Sequence, residues 1–155
     1  MMLSNSREVV IMHGDVNFLA VGAATLAGMA VGFLWFNPRL FGNSWFRIIG
    51  IDPTDRVRIA KMQKDTGPFF LLILIGVFLS AYMLARFIGI LGWGTLIGGM
   101  RLGFYVWVGF MLPVVIGFAI FGGKNRSLMW TTMLILGGHY LAGMLVMGAI
   151  LGAWK

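Results

Sequence analysis

Four long stretches without a charged residue divide this sequence, and each one is long enough for a helix to cross a lipid bilayer. They contain 23, 20, 22 and 28 residues and lie between Asp15 and Arg39, Asp65 and Arg86, Arg101 and Lys124, and Arg126 and Lys155. The hydrocarbon core of a bilayer is about 30 Å thick, so a helix needs about 20 apolar residues to span it. The sequence therefore predicts an all-α, polytopic membrane protein with a bundle of four transmembrane helices. In this single membrane domain of residues 1–155, the predicted spans are 16–36, 68–88, 98–121 and 128–151.

The composition excludes a soluble domain and weakens most enzyme hypotheses. Hydrophobic residues make up 59% of the chain and charged residues 11%, whereas an average soluble domain carries roughly a quarter charged residues. There is no cysteine, so the chain holds no disulfide, thiolate nucleophile or thiolate metal site. No carboxylate lies within a predicted span, which counts against an acidic ion relay or a carboxylate metal site. We therefore expect no enzymatic activity, no cofactor and no bound metal.

The basic residues predict which side of the membrane each loop faces. Six of them lie in the loop 37–67, two more lie in the loop 122–127, and the rest of the chain carries only four. Short loops rich in Lys and Arg stay in the cytoplasm. We therefore expect a multi-pass protein of the cytoplasmic (inner) membrane with both termini outside. The net charge of +7 then faces anionic lipid head groups, and we expect no nucleic-acid partner.

The cytoplasmic loop 37–67 is expected to contain an amphipathic helix. Asn37 and Pro38 are favourable residues for a helix cap and a first helical position. The residues that follow fall on two sides of a helix, with Leu40, Phe41, Trp45, Ile48 and Ile49 on one side and Arg39, Asn43 and Arg47 on the other. This pattern predicts a short helix in the membrane interface, with Trp45 as its anchor.

A second loop helix is predicted over 53–65. Asp52 and Pro53 fit a cap followed by a first helical residue. Its basic residues are Arg56, Arg58, Lys61 and Lys64. This polarity predicts a position at or above the head groups, as a positive-inside anchor or as a docking site for a partner.

The apolar segment 87–100 is too short for a fifth span. Its glycines at positions 89, 92, 94, 98 and 99 fit a tight outer turn between the second and third spans. A re-entrant segment is the alternative, and it would require shelter by the rest of the protein because its backbone is irregular.

Small residues recur at helical spacing on every predicted span. In lipid, helices gain little from apolar contact alone, so small residues that let two backbones approach closely are important for packing. The glycines of this kind are Gly28, Gly32, Gly76, Gly99, Gly103, Gly148 and Gly152. We expect them to pack within the bundle or between copies. Pro113 is expected to kink the third span because it lacks an N–H group.

Polar groups inside the membrane are the first functional candidates in a chain of this kind. His139 lies near the middle of the fourth span, and Thr132 shares its helix face. A functional imidazole would exchange protons, ligate a haem or contact the head group of a lipid or quinone. A structural imidazole would be neutral and would bond to a carbonyl or to a tyrosine, such as Tyr82 or Tyr105.

Two arginines, Arg86 and Arg101, flank the outer turn. An arginine inside hydrocarbon is unfavourable by roughly 2.5–3.5 kcal/mol on insertion scales. The acids available on that side are Glu8 and Asp15, and we expect one of them to pair with one of the arginines. The same arginines are also candidates for an anion or head-group site.

The sequence resembles DUF1761, a family of small membrane proteins of unknown function. The likeness lies in the string Gly32-Phe33-Leu34-Trp35-Phe36-Asn37-Pro38, followed by Phe41-Gly42 and Trp45. It continues in Trp107-x-Gly109-Phe110-x-x-Pro113 and in Met147-Gly148-Ala149-Ile150-Leu151 with Trp154. The resemblance implies a four-helix bundle with an interfacial loop after the first helix, and it implies no activity, substrate or catalytic residue.

Two functions of different classes follow from these observations. The first is a non-enzymatic structural or accessory role, in which the chain packs against other membrane subunits or against copies of itself. The second is a small channel or carrier, with a path lined by His139 and by the outer-end arginines. Since four helices are few for a pore, the second function requires an oligomer.

Overall fold

The computed structural model describes residues 16–122 and 126–154, and these residues form helices and short connections without a β-strand. Their α-helices are α1 Phe18–Trp35, α2 Gly42–Ile48, α3 Arg56–Thr66, α4 Phe70–Leu91, α5 Leu96–Val106, α6 Leu112–Phe121 and α7 Met129–Ala153. Short 3₁₀ turns precede α4 and α7, at Gly67–Phe69 and Arg126–Leu128, and a π-helical segment joins α5 to α6 at Trp107–Met111.

Within the described residues, four helical runs are long and apolar enough to cross a membrane. They are Phe18–Trp35, Arg56–Leu91, Leu96–Phe121 and Arg126–Ala153. Over these residues, the prediction of an all-helical protein with four helices long and apolar enough to span a membrane is confirmed. The second run has 36 residues because α3 continues into α4 through a 3₁₀ turn that contains Pro68. The basic helix predicted over 53–65 is therefore an extension of the second span.

Side-chain caps define the starts of three helices. Asn17 caps α1, Asp55 caps α3 and Thr95 caps α5, each by accepting a hydrogen bond from a first-turn N–H at 3.0, 2.9 and 3.0 Å. The prediction that the second loop helix starts from Asp52 is wrong. Asp52 instead accepts hydrogen bonds from the backbone N–H and the hydroxyl of Thr54, and these bonds lower the pKa of its carboxyl.

The predicted helix start at Asn37 is also wrong. Asn37 Oδ1 accepts a hydrogen bond from the N–H of Arg39 at 3.0 Å, and the Asn37 carbonyl accepts one from the N–H of Gly42 at 3.0 Å. Residues 36–41 therefore form a tight turn, and α2 begins only at Gly42. Asparagine is as favourable in such a turn as at a helix cap, so its presence does not distinguish the two.

A tight turn joins α4 to α5. Gly92 has a φ of 65°, and this left-handed conformation ends α4. The N–H of Trp93 then donates to the carbonyl of Ile88 at 3.0 Å, as is usual after such a glycine. The turn consists of residues 92–95, and the rest of the segment 87–100 belongs to α4 and α5, so the segment is not re-entrant. We call this end of the bundle the turn end, and the opposite end, which carries residues 36–55, the loop end.

The closest helix packing is between α5 and α7. A Cβ atom built on Gly99 or on Gly148 would meet the backbone carbonyl of the other glycine. A Cβ atom on Gly103 would meet the carbonyl of Met144 in the same way, and one on Gly152 would meet the backbone at the start of α5. Backbones this close leave no room for a side chain, so the glycine stripes of the third and fourth spans face each other.

Gly28 lies where three helices meet. A Cβ atom there would be 3.0 Å from side-chain atoms of both Val77 in α4 and Met147 in α7. The buried core consists of Ala20, Val21, Ala24, Ala81, Leu84, Ile88, Leu102, Met144, Met147 and Leu151. These residues lie in the turn-end halves of their helices. The bundle is therefore packed most densely at the turn end.

The third span changes its helical geometry just before Pro113. The segment Trp107–Met111 is π-helical, and α6 begins at Leu112 with Pro113 in its first turn. Proline has no N–H group and crowds the preceding turn, so it is compatible with a wider turn at this point. The irregularity predicted for this span therefore takes the form of a π-helical segment.

Candidate functional site

The imidazole of His139 lies near the midpoint of the 28-residue helix Arg126–Ala153. The side chain is half-buried at the place where α1 ends against α7. A Cβ atom built on Gly32 would be 3.3 Å from His139 Nε2, so the glycine lets the backbone of α1 lie close to the ring. The ring centroid of Phe36 lies 5.0 Å from that of the imidazole.

Four aromatic side chains at the end of α1, in the turn and in α2 lie together at this place. We call Trp35, Phe36, Phe41 and Trp45 the aromatic cluster. The ring centroids of Trp35 and Phe41 are 4.6 Å apart, and those of Phe36 and Trp45 are 5.4 Å apart. The Trp35 centroid is also 6.5 Å from that of His139. The aromatic cluster therefore connects the imidazole to α2.

Two tryptophan indoles hold the backbone of α7 just before His139. Trp35 Nε1 donates a hydrogen bond to the carbonyl of Ile135 at 3.0 Å. Trp107 Nε1 donates to the carbonyl of Gly137 at 2.9 Å. Because one indole comes from the first span and the other from the third, these bonds orient the segment of α7 that carries the imidazole.

The sequence pattern did not point to these two indoles as residues of the site. The sequence feature that could have indicated them is the pair Gly137-Gly138 directly before His139, because two small residues leave room for a bulky ring. A Cβ atom on Gly138 would be 2.8 Å from Cζ2 of Trp35, so the glycine provides the surface on which that indole lies. Bulky rings need small residues opposite them, but the sequence does not tell which ring faces which glycine.

His139 differs from Thr25, Ser80 and Thr132 in its hydrogen bonding. Thr25, Ser80 and Thr132 each donate to the carbonyl four residues earlier in their own helix. Thr132 therefore shares a helix face with His139 without bonding to it. His139 makes no hydrogen bond to another described residue. Every fully buried side-chain nitrogen within residues 16–122 and 126–154 has a hydrogen-bond partner, so the imidazole nitrogens are not fully buried. The imidazole nitrogens are thus open to the surroundings of the chain.

Tyr82 and Tyr105 lie at the turn end and not beside His139. The Tyr82 ring stacks on Phe18 at the start of α1, with centroids 6.3 Å apart. The Tyr105 ring centroid is 6.1 Å from that of Trp93 in the turn between α4 and α5. His139 contacts the opposite end of α1, so the hydrogen bond considered between the imidazole and a tyrosine is not made.

The outer-end site is only partly described. Arg101 is exposed, and its guanidinium carbon lies 6.0 Å from the ring centroid of Trp93, which is within the range of a cation–π contact. Arg86 is half-buried in α4. Glu8 and Asp15 lie outside the described residues, and their ion pair with an arginine stays a prediction.

The buried side of the loop helix α2 agrees only in part with the one expected, since Ile48 is buried as predicted. Trp45 is half-buried, and Arg39 and Arg47 are exposed. The buried side chains of this region are Phe46, Ile48 and Ile51, whereas Leu40 is exposed. Leu40 lies in the turn before α2, so the spacing that grouped it with the apolar side does not apply to it. The location of α2 in a membrane interface stays a prediction.

The loop-end half of the second span is exposed on all its sides. Residues 67–76 are all exposed, whereas a helix in a bundle usually has one buried stripe. The ring of Phe70 stacks on Phe33 of α1 with centroids 5.9 Å apart. Around Gly76, however, a Cβ atom would meet no neighbour within 4 Å. The packing glycine predicted on this span therefore contacts no other helix of the described chain.

Comparison with known proteins identifies a family. The family model described as "Protein of unknown function (DUF1761)" matches residues 19–152, which is nearly the whole chain. No curated protein and no solved structure matches the chain. That description names no activity, ligand or partner, so a functional conclusion depends on the geometry.

Proposed function

The chain belongs to the DUF1761 family, and from its geometry we propose that it is a non-enzymatic membrane subunit that packs against a second copy or another membrane protein. The observation that carries this proposal is the exposure of residues 67–76 on every side of the helix. A partner helix would cover this segment within the bilayer. The role is thus structural or accessory.

Gly76 of α4 supports the proposal, because a Cβ atom there would meet no neighbour within 4 Å. Association of helices in lipid depends on close van der Waals packing, which small residues permit. Within the chain, α5 and α7 already use their glycines for mutual contact. Gly76 is unused, and Ser80 lies one turn further on the same helix face. A partner helix can therefore approach α4 closely at this place.

The proposal includes an orientation in the inner membrane. The loops 37–67 and 122–127 lie in the cytoplasm, and both termini lie outside. The basic side chains of the first loop then meet anionic lipid head groups, where each contributes about 1 kcal/mol near the surface. These side chains are Arg39, Arg47, Arg56, Arg58, Lys61 and Lys64. Anionic lipids are therefore proposed as partners at the cytoplasmic face.

The mass of the particle extracted from native membranes tests this role. Extraction into polymer-bounded lipid discs, followed by native mass spectrometry, is expected to give particles with more than one polypeptide. Gly76→Phe fills the open face of α4 and is expected to weaken association about tenfold, equivalent to about 1.4 kcal/mol. Gly89→Phe is the matched control, because its Cβ also enters open space on the same helix but lies in the turn-end half.

Two results would count against the structural role. One is a lone monomer in every extraction, with no subunit that travels with it. The other is equal association of the unmodified chain and both phenylalanine variants, since the loop-end half of α4 would then not be the contact surface.

A small channel or carrier is the alternative function. The open nitrogens of His139 in the middle of a span favour it, because polar groups at this depth often line a path. The arginines of that path, Arg86 and Arg101, lie toward the turn end. One chain offers only four spans, so a path between these groups needs several copies. A lone monomer would therefore also remove this alternative.

A further inference from the structure

We infer that His139 and the aromatic cluster form a binding site for a neutral, lipid-soluble molecule that carries a carbonyl group on a planar ring, which is the chemistry of a quinone. The inference goes beyond the proposed function, because it concerns a small ligand and not a subunit. It depends on the open imidazole nitrogens and on the uncharged aromatic rings around them.

The first step concerns hydrogen bonding. A neutral imidazole has one donor nitrogen and one acceptor nitrogen. Inside a bilayer there is no water to satisfy them, so a polar group without a partner is unfavourable. The threonine and serine hydroxyls described above bond to their own helices, and the two indoles bond to α7. Unlike these groups, His139 keeps its hydrogen bonds available for a molecule outside the chain.

The second step concerns the charge of the ligand. The imidazole packs against Gly32 and Phe36 at the loop end of α1, and the rings around it are uncharged. A phosphate or carboxylate group carries a charge and is strongly disfavoured in apolar surroundings. A ring carbonyl is neutral and accepts a hydrogen bond from an imidazole N–H. These surroundings therefore favour a neutral lipid-soluble ligand over a lipid head group.

The third step concerns the surrounding rings. Phe36 and Trp35 are tilted by 53° and 55° against the imidazole, at centroid distances of 5.0 and 6.5 Å. Aromatic rings favour offset or tilted contacts at about these distances. The Trp35 ring is held in place by its bond to the carbonyl of Ile135. A planar ligand ring finds a preorganised aromatic surface here, whereas a saturated acyl chain gains nothing from its geometry.

Gly32 lets α1 lie close to the imidazole. A methyl group at this position would lie 3.3 Å from Nε2, closer than an ordinary van der Waals contact. An added methyl group would therefore crowd the nitrogen that is offered to a ligand. The glycine also provides a substitution that obstructs the site while His139 itself is unchanged.

Equilibrium binding of a radiolabelled benzoquinone with a short isoprenoid tail tests this inference. The protein is used in lipid discs, and the unmodified chain is expected to bind the probe saturably. His139→Phe keeps the ring but removes both nitrogens, and it is expected to weaken binding about tenfold, as the loss of one hydrogen bond implies. His139→Gln is expected to restore part of the affinity. Gly117→Ala is the control and should bind normally, because its Cβ enters open space.

A second variant and two competitors keep the test decisive. Gly32→Ala covers the case in which His139→Phe does not fold, and it should also weaken binding. A protonated long-chain fatty acid and phosphatidylglycerol are expected not to displace the probe. Non-saturable uptake, normal affinity in a folded His139→Phe or Gly32→Ala variant, or displacement by either competitor would overturn the inference. Particle mass measured on the same samples reports separately on the subunit role.

Discussion

Replacement of Gly99 by alanine is expected to lower the free energy of unfolding by about 2–3 kcal/mol, which is within the usual range for overpacking. The added Cβ atom would meet the backbone carbonyl of Gly148. A backbone carbonyl cannot rotate away as a flexible side chain can, so α5 and α7 would have to separate. The effect is large because this is the most extensive helix contact in the described chain.

Unfolding in mixed micelles, titrated with a denaturing detergent and followed by tryptophan fluorescence, measures this effect. Gly148→Ala meets the carbonyl of Gly99 and should give a similar loss. Gly117→Ala is the matched control because its Cβ enters open space. As an interior glycine replaced by alanine, it should be neutral or stabilising by about 0.5–1 kcal/mol. Equal stability of Gly99→Ala and Gly117→Ala would contradict the close packing of these two helices.

Replacement of Gly42 by alanine is expected to release α2 from the bundle. A Cβ atom there would meet the carbonyl oxygen of Phe36 and lie 2.8 Å from the carbonyl carbon of Asn37. Such a clash with backbone is unfavourable by about 1–3 kcal/mol. The helix that starts here has only seven residues and no side-chain cap. It has little local stability with which to compensate for the clash.

The reactivity of a cysteine at position 51 reports on the release of α2. The chain has no cysteine of its own, and Ile51 is only 8% exposed. Labelling of Ile51→Cys by a water-soluble maleimide should be about tenfold faster with Gly42→Ala, because opening costs about 1.4 kcal/mol less. Gly67→Ala is the control, since its Cβ meets nothing. Unchanged labelling in the Gly42→Ala background would show that the turn accommodates a side chain.

The four spans were predictable because a helix needs about 20 apolar residues to cross the hydrocarbon core, and the charges that flank each span are therefore at least that far apart along the chain. The interval from Asp65 to Arg86 sets the second span in this way. Its helix extends back through α3 because the one proline at the junction, Pro68, lies near a helix start, where a missing N–H is tolerated. Charge spacing thus predicts which residues lie in the membrane, but not where a helix ends outside it.

The surroundings of His139 were not predictable, because they depend on contacts between distant parts of the chain. Trp35 and Ile135 are 100 positions apart, yet their hydrogen bond helps to orient the helix that carries the imidazole. Helix periodicity shows which residues share the face of His139, but not which span packs against it. The sequence therefore suggested Tyr82 and Tyr105 as neighbours of the imidazole, whereas the ring of Phe36, directly after α1, lies 5.0 Å from it.

The glycines also show that the sequence does not reveal which helices pack against each other. Gly99 and Gly76 look alike in the sequence, since each begins a pair of small residues one turn apart. In the structure Gly99 is in contact with the backbone of α7, and Gly76 faces open space. Spacing identifies surfaces that permit close approach. Only the arrangement of the helices distinguishes surfaces used within the chain from those left for a partner.

Four crossings of the membrane are the central claim, and labelling of single cysteines in the cysteine-free chain tests it most directly. Ser4→Cys, Lys61→Cys and Lys155→Cys are treated with a membrane-impermeant maleimide in spheroplasts, before and after permeabilisation. Cysteines at positions 4 and 155 are expected to react at once, and the cysteine at position 61 only after permeabilisation. Reaction of the two terminal positions from opposite faces would contradict four crossings.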